Sequence, residues 1–222
     1  MQTIDAAAFA RPSSFPTLDD TSVHLWLLAI EHAPDHRAVA AAAHALLGRL
    51  LAHYGGLEHP PVIARTGRGK PYAPALAGLD FNLSHARDHA LIAFARGQPL
   101  GVDLERIDRK LDAHDLAQRF FSRSEAEALD ALPETQRAIA FLRLWTCKEA
   151  VLKALGEGIS FGLDRVAFAL DAEGMPSEVA TMAPEAGAPS EWHLARIDPA
   201  AGCVGAVAWR GRERRIRTFA AV

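Results

Sequence analysis

The run from Glu134 to Leu155, opened by Pro133 and closed by Gly156, has the composition of one long helix. Within it, Trp145-Thr-Cys-Lys-Glu149-Ala-Val-Leu-Lys153 constrains the chain more than any other segment. Glu149 and Lys153 stand four apart, so a helix stacks them on one face about one turn (~5.4 Å) apart, and Trp145 extends that row. Upstream, Gly101-Val-Asp-Leu-Glu105 alternates apolar and acidic residues with the period of a half-buried strand. Asp103 and Glu105 therefore share one side of the strand while Val102 and Leu104 face the other. A fold that lays this strand against that helix collects three carboxylates and a lysine.

Hard oxygen ligands without accompanying His or Cys suit Mg²⁺, which keeps several waters and takes further ligands from substrate phosphates. Each motif alone also describes an ordinary solvated strand face or a surface ion pair worth a few tenths of a kcal/mol. Two further segments shift the balance. Gly69-Lys70-Pro71-Tyr72 is a turn that presents one cation, and Phe81-Asn-Leu-Ser84-His85 is an alternating strand ending in a hydroxyl and an imidazole. Lys70, Ser84 and His85 all have phosphate-binding chemistry. Of the 24 basic residues, all but Lys70, Lys110, Lys148 and Lys153 are arginine. Three of those four exceptions sit inside these motifs.

In order and spacing, the four segments from Gly69 to Lys153 resemble the 4'-phosphopantetheinyl transferase family, in its larger, surfactin-synthetase-activating type. The resemblance implies an α+β fold: two similar halves, each an antiparallel sheet with a long helix, in a pseudo-twofold arrangement like a fused dimer of one small unit. It also implies a monomer with coenzyme A in the cleft between halves. In that reading Mg²⁺, with Mn²⁺ as an alternative, is held by Asp103, Glu105 and Glu149. Glu149 is the first candidate for the base and Lys153 stabilises the leaving phosphate. Lys70, Ser84 and His85 contact the nucleotide end. The partner is an acyl or peptidyl carrier protein whose serine accepts phosphopantetheine, with release of 3',5'-ADP. Family members carry basic residues near the first-half helix for the 3'-phosphate; here that helix offers Arg37, His44 and Arg49, and Arg37 is the choice. Lys148 points about 100° away from Glu149 around the helix and receives no step.

Other readings of the same residues are a metal-dependent hydrolase of nucleotide pyrophosphates and a non-catalytic module that grips coenzyme A or a carrier. The hydrolase would need a positioned water and the usual glutamate cluster on one helix. A degenerate module would be expected to lose a carboxylate or the second lysine, and neither is lost.

At 222 residues and half hydrophobic, the chain can bury a sizeable core, and its net charge of −3 argues against a general nucleic-acid binder. No apolar run approaches the ~20 residues of a membrane span. Residues 1–20 lack a basic start followed by an apolar stretch, so no signal peptide is expected. Cys147 and Cys203 offer no disulfide framework, which favours a reducing cytoplasm. The organisation expected is an Ala/Leu-rich helix from His36 to Tyr54 ended by Gly55-Gly56. A hairpin of His89–Ala95 with Leu100–Ile107 follows, then a capping box at Ser122–Glu125 and the long helix. A second hairpin pairs Cys203–Trp209 with Arg214–Phe219. The halves are 1–102 and 103–222. The resemblance also implies that Arg106 to Phe121, with Arg109, Lys110 and Arg119, covers the carrier's entry.

Overall fold

The structure, a computed structural model, describes residues 1–30 and 35–221. Its layers run helix, sheet, sheet, helix. One sheet has the strand order β12–β2–β6–β5, where β2 is Ser22–Ala29, β5 Leu79–Ala86, β6 His89–Arg96 and β12 Arg215–Ala220. The other has the order β1–β10–β11–β7, where β1 is Gln2–Asp5, β7 Leu100–Arg106, β10 Trp192–Asp198 and β11 Cys203–Arg210. The outer helices are α1 (His36–Gly55) and α4 (Glu134–Leu155). Two short helices, α2 (Ala113–Phe120) and α3 (Arg123–Asp130), precede α4. Hairpins β3 (Ala64–Arg65) with β4 (Pro71–Tyr72) and β8 (Val166–Leu170) with β9 (Pro176–Met182) complete the α+β fold. No helix of the described residues is long and apolar enough to cross a membrane.

The strands explain the layering, because those at the centre bury both faces. On β6, Ala90, Ile92 and Phe94 pack toward α1, while Leu91, Ala93 and Ala95 pack toward the second sheet. On β11, Val204, Ala206 and Ala208 pack toward α4, while Cys203, Val207 and Trp209 join the core between the sheets. α1 begins where the Asp35 carboxylate accepts the Ala38 N–H at 2.9 Å, and ends where Gly56 takes a left-handed conformation (φ 64°). Its stripe of Val39, Ala43, Leu46, Leu47, Leu50 and Leu51 has the spacing of one helical face, and all six are buried.

From Ala140 onward α4 is buried on nearly every side, and it carries a charged group into the interior. Lys148 is fully buried; its ammonium donates to Glu125 Oε2 at 2.7 Å, to the Leu163 carbonyl at 2.8 Å and to the Val166 carbonyl. It also lies 4.9 Å from the Phe121 ring centroid. Glu125 in turn accepts from Ser122, closing the expected capping box, and from the Phe168 N–H at 2.8 Å. With every proton and carboxylate oxygen in use, the desolvation of this pair is offset, and α3, α4 and β8 are tied together. Lys148 thus faces away from Glu149, as helical geometry requires.

Two expected hairpins are not formed. β6 and β7 lie in different sheets, and so do β11 and β12. The reason is edge occupancy: β6 is already paired on both sides, by β2 and β5, and β11 by β7 and β10. The glycine turns at Gly97 and Gly211 therefore carry the chain from one sheet to the other instead of folding it back. Within the two four-stranded sheets the hairpins that do form are β5–β6 and β10–β11.

β7 presses unusually close to α4. A Cβ on Gly101 would stand 2.1 Å from the Ala150 carbonyl oxygen and 2.5 Å from the Ala154 nitrogen. Gly101→Ala is therefore expected to cost about 3 kcal/mol or more, at the upper end of overpacking. Gly67→Ala, where a Cβ meets nothing within 4 Å, is expected to stay within about 0.5 kcal/mol of wild type. Urea denaturation of the two variants measures both.

Candidate active site

β7 is the edge strand of its sheet, and its outer edge is closed by side chains rather than by another strand. The Leu100 carbonyl accepts from Lys70 Nζ at 3.3 Å, and the Val102 N–H donates to Asn82 Oδ1 at 2.9 Å. The Val102 carbonyl accepts from Lys153 Nζ at 3.1 Å, and the Leu104 N–H donates to Ser84 Oγ at 3.3 Å. Four side chains from the other three motifs thus satisfy backbone groups that an open edge would leave to water. The same contacts set the side chains on the strand's α4 face. Lys153 Nζ lies 2.6 Å from Asp103 Oδ1 and 3.2 Å from Ser84 Oγ, and Ser84 donates its own proton to Asp103 Oδ1 at 2.9 Å.

Asp103, Glu105 and Glu149 are coupled electrostatically. Burial raises the Glu149 carboxyl to about 7; the Asp103 charge pushes the same way, Lys153 opposes it and Glu105 adds to the rise. Glu105 is likewise raised, first by burial and then by Asp103, against the pull of Arg109 and Lys153. Among the described residues no three His, Cys, Asp or Glu side chains are gathered into a ready ion site. Two buried carboxylate oxygens there nonetheless lack a hydrogen-bond partner, Asp103 Oδ2 and Glu149 Oε1. Such groups are costly to leave unpaired. All-oxygen donors with two open positions fit a hard divalent cation.

Beside these groups runs a groove of about 500 Å³ between the β3–β4 hairpin, β5 and the end of α4. Its lining includes Lys70, His85 and Lys153, together with His44, Arg65 and Arg68. Lys70 is largely committed: besides Leu100, its ammonium donates to the Ala154 carbonyl at 2.8 Å, and burial lowers it to about 8 while Asp80 opposes the shift. Ser84 is committed too, with its proton and both lone pairs engaged. Arg37 is exposed in the first turn of α1 and is not among the residues lining the groove. Arg65 and Arg68, which the sequence motifs did not include, precede Gly69 and Lys70 in Arg65-Thr-Gly-Arg68-Gly-Lys70. A triplet of cations over six residues around two glycines was the available signal. Arg65 donates to the Gly69 carbonyl at 2.8 Å, and Arg68 pairs with Glu157 across the groove.

The chain is similar in sequence to known proteins of one family. The sequence model of the 4'-phosphopantetheinyl transferase superfamily matches residues 99–210. The 4'-phosphopantetheinyl transferase HetI of Nostoc sp. (strain PCC 7120) is 40% identical over 182 residues, covering 80% of this chain and 73% of that protein. The 4'-phosphopantetheinyl transferase Sfp of Bacillus subtilis (strain 168) is 33% identical over 131 residues, 59% of this chain and 56% of its own length. An L-aminoadipate-semialdehyde dehydrogenase-phosphopantetheinyl transferase of Xenopus laevis is 30% identical over 118 residues, 48% of this chain and 39% of its own.

The elevated Glu149 carboxyl has a thermodynamic consequence. The folded protein holds this proton up to about pH 7, whereas the unfolded chain releases it near 4.5. The contribution to stability is therefore complete below the unfolded value and is lost as pH rises through about 7. In a chelator, the melting temperature of wild type is expected to fall relative to Glu149→Gln between pH 5 and pH 8, by a few degrees. Parallel melting curves for the two proteins across that range would contradict this electrostatic picture.

Proposed function

The chain belongs to the 4'-phosphopantetheinyl transferase superfamily, a family of transferases that act on carrier proteins with coenzyme A, and from that premise we propose a specific reaction for it. The hydroxyl of a carrier-protein serine attacks the phosphorus nearer the pantetheine of coenzyme A. A new O–P bond forms, the bridging P–O bond of the pyrophosphate breaks, and 3',5'-ADP departs with that oxygen.

Each residue has a role set by its surroundings. Glu149, buried beside Asp103 and Lys153 with one oxygen free of a hydrogen-bond partner, is placed to accept the serine proton. Lys153 offers a point charge and a hydrogen bond to the leaving phosphate. Asp103, Glu105 and Glu149 would hold Mg²⁺, which when bound neutralises charge on the pyrophosphate. Lys70, Ser84 and His85 border the nucleotide end of coenzyme A. For the 3'-phosphate, Arg65, Arg68 and His44 line the groove and now stand ahead of Arg37. The observation that carries the reading is the meeting of Lys153, Asp103 and Ser84 at 2.6–3.2 Å beside a partnerless Glu149 oxygen, at the mouth of a cation-lined groove.

We also read the layers as two related halves meeting near residues 98–110. β2–β6–β5 and β7–β11–β10 each set the strand before a long helix beside the hairpin that follows it. On this reading the first and last strands, β1 and β12, are exchanged between halves, and one chain supplies the whole cleft. The free thiols Cys147 and Cys203 suit a reducing cytoplasm.

The test is the intact mass of an apo acyl or peptidyl carrier protein incubated with this chain, coenzyme A and Mg²⁺. A gain of one phosphopantetheine, abolished by EDTA and slowed about 100-fold or more by Glu149→Ala, is expected. No gain on either class of carrier, while coenzyme A binds, would overturn the assignment.

A further inference from the structure

Each of the three carboxylates proposed to hold the cation has a different neighbour. Asp103 meets the Lys153 ammonium at 2.6 Å. Glu149 keeps a buried oxygen without a partner. Glu105 is engaged from outside the cluster: Arg109 Nη1 lies 2.6 Å from its Oε1, a short charge-assisted bond between residues four apart at the end of β7. The neighbouring Arg106 does not compete for Glu105, because Asp108 and Asp88 hold its guanidinium. The turn is anchored by the Arg109 N–H donating to the Arg106 carbonyl at 3.3 Å. The Glu105 side chain is 19% exposed and that of Arg109 49%, so the carboxylate faces the interior while the guanidinium can move into water at little cost.

We propose that Arg109 is an internal counter-cation that occupies Glu105 in the ion-free protein, and that the divalent cation binds by exchange with it. The inference rests on the reading above that Asp103, Glu105 and Glu149 hold that cation. Exchange releases a half-exposed guanidinium rather than leaving a buried charge bare, so the contact restrains binding without abolishing it. Arg109 thereby sets how much free cation the enzyme needs. The freed guanidinium would stand at the end of β7, beside the attack site.

The experiment is Mn²⁺ binding to the full chain without coenzyme A, followed by the electron paramagnetic resonance of free Mn²⁺ at low salt. The proteins are wild type, Arg109→Ala, Arg109→Gln and Glu149→Ala. Both arginine variants are expected to bind about three- to ten-fold more tightly, from loss of the competing pair and of one positive charge near the ion. The gap should narrow as salt is raised. An unchanged or weakened affinity in both folded arginine variants would overturn the role of Arg109 while leaving the cation site standing. Binding by wild type that Glu149→Ala does not diminish, or no binding by any of the proteins, would instead sink the cation-site reading, and this inference with it.

Discussion

The outer edge of β7 is the constraint around which this molecule is arranged. An edge strand buried between two sheets and a helix cannot leave its N–H and C=O groups unpaired, and no further strand comes to pair them. Lys70, Asn82, Ser84 and Lys153 do so instead, one from the β3–β4 turn, two from β5 and one from α4. The stitching joins the two sheets edge to edge and fastens α4 to both. Because side chains at 100, 102 and 104 point into the core between sheets, those at 103 and 105 must face α4. The site is a by-product of closing that edge. Asp103 meets Lys153 and Ser84 because both are already there to bond the strand's backbone.

Close approach makes this geometry possible. Gly101 lets the strand touch the backbone of α4, and Gly205 on β11 does the same on the strand's other side, where a Cβ would stand 2.5 Å from the Asp103 carbonyl oxygen. The buried Lys148–Glu125 pair holds α4 in rotation, turning Glu149 toward β7. An apolar residue at 148 could fill the same space, but it would not select one rotation of a helix that is apolar on most of its surface. The division of roles between adjacent residues is therefore physical: position 148 anchors the helix, and position 149 is turned toward β7.

Much of this was legible in the sequence wherever the signal was local. Asp35 and Gly56 bound α1, Ser122 and Glu125 start α3, and Pro133 and Gly156 bound α4, because capping depends on residues a few positions apart. The facing of Asp103 and Glu105 followed from period alone, and the α+β class from the resemblance carried by the four motifs. Strand pairing did not. Both glycine turns after β6 and β11 have hairpin chemistry, and only the occupancy of those strands by β2 and β10 sends the chain onward. Within the site, residue types pointed to phosphate and metal chemistry, but contacts were hidden. That Lys70 and Ser84 bond the edge of β7, and that Arg65 and Arg68 rather than Arg37 line the groove, depends on where a hairpin distant from α4 in sequence comes to rest beside it.

The central claim is that the carboxylates on β7 and α4 hold a divalent cation against the pyrophosphate of coenzyme A, with the 3'-phosphate farther along the groove. The direct measurement is the ³¹P relaxation of coenzyme A bound to this chain, titrated with substoichiometric Mn²⁺. Strong broadening of the two pyrophosphate signals with much weaker broadening of the 3'-phosphate is the result this account predicts. Broadening led by the 3'-phosphate, or none on any phosphorus while coenzyme A stays bound, would contradict it.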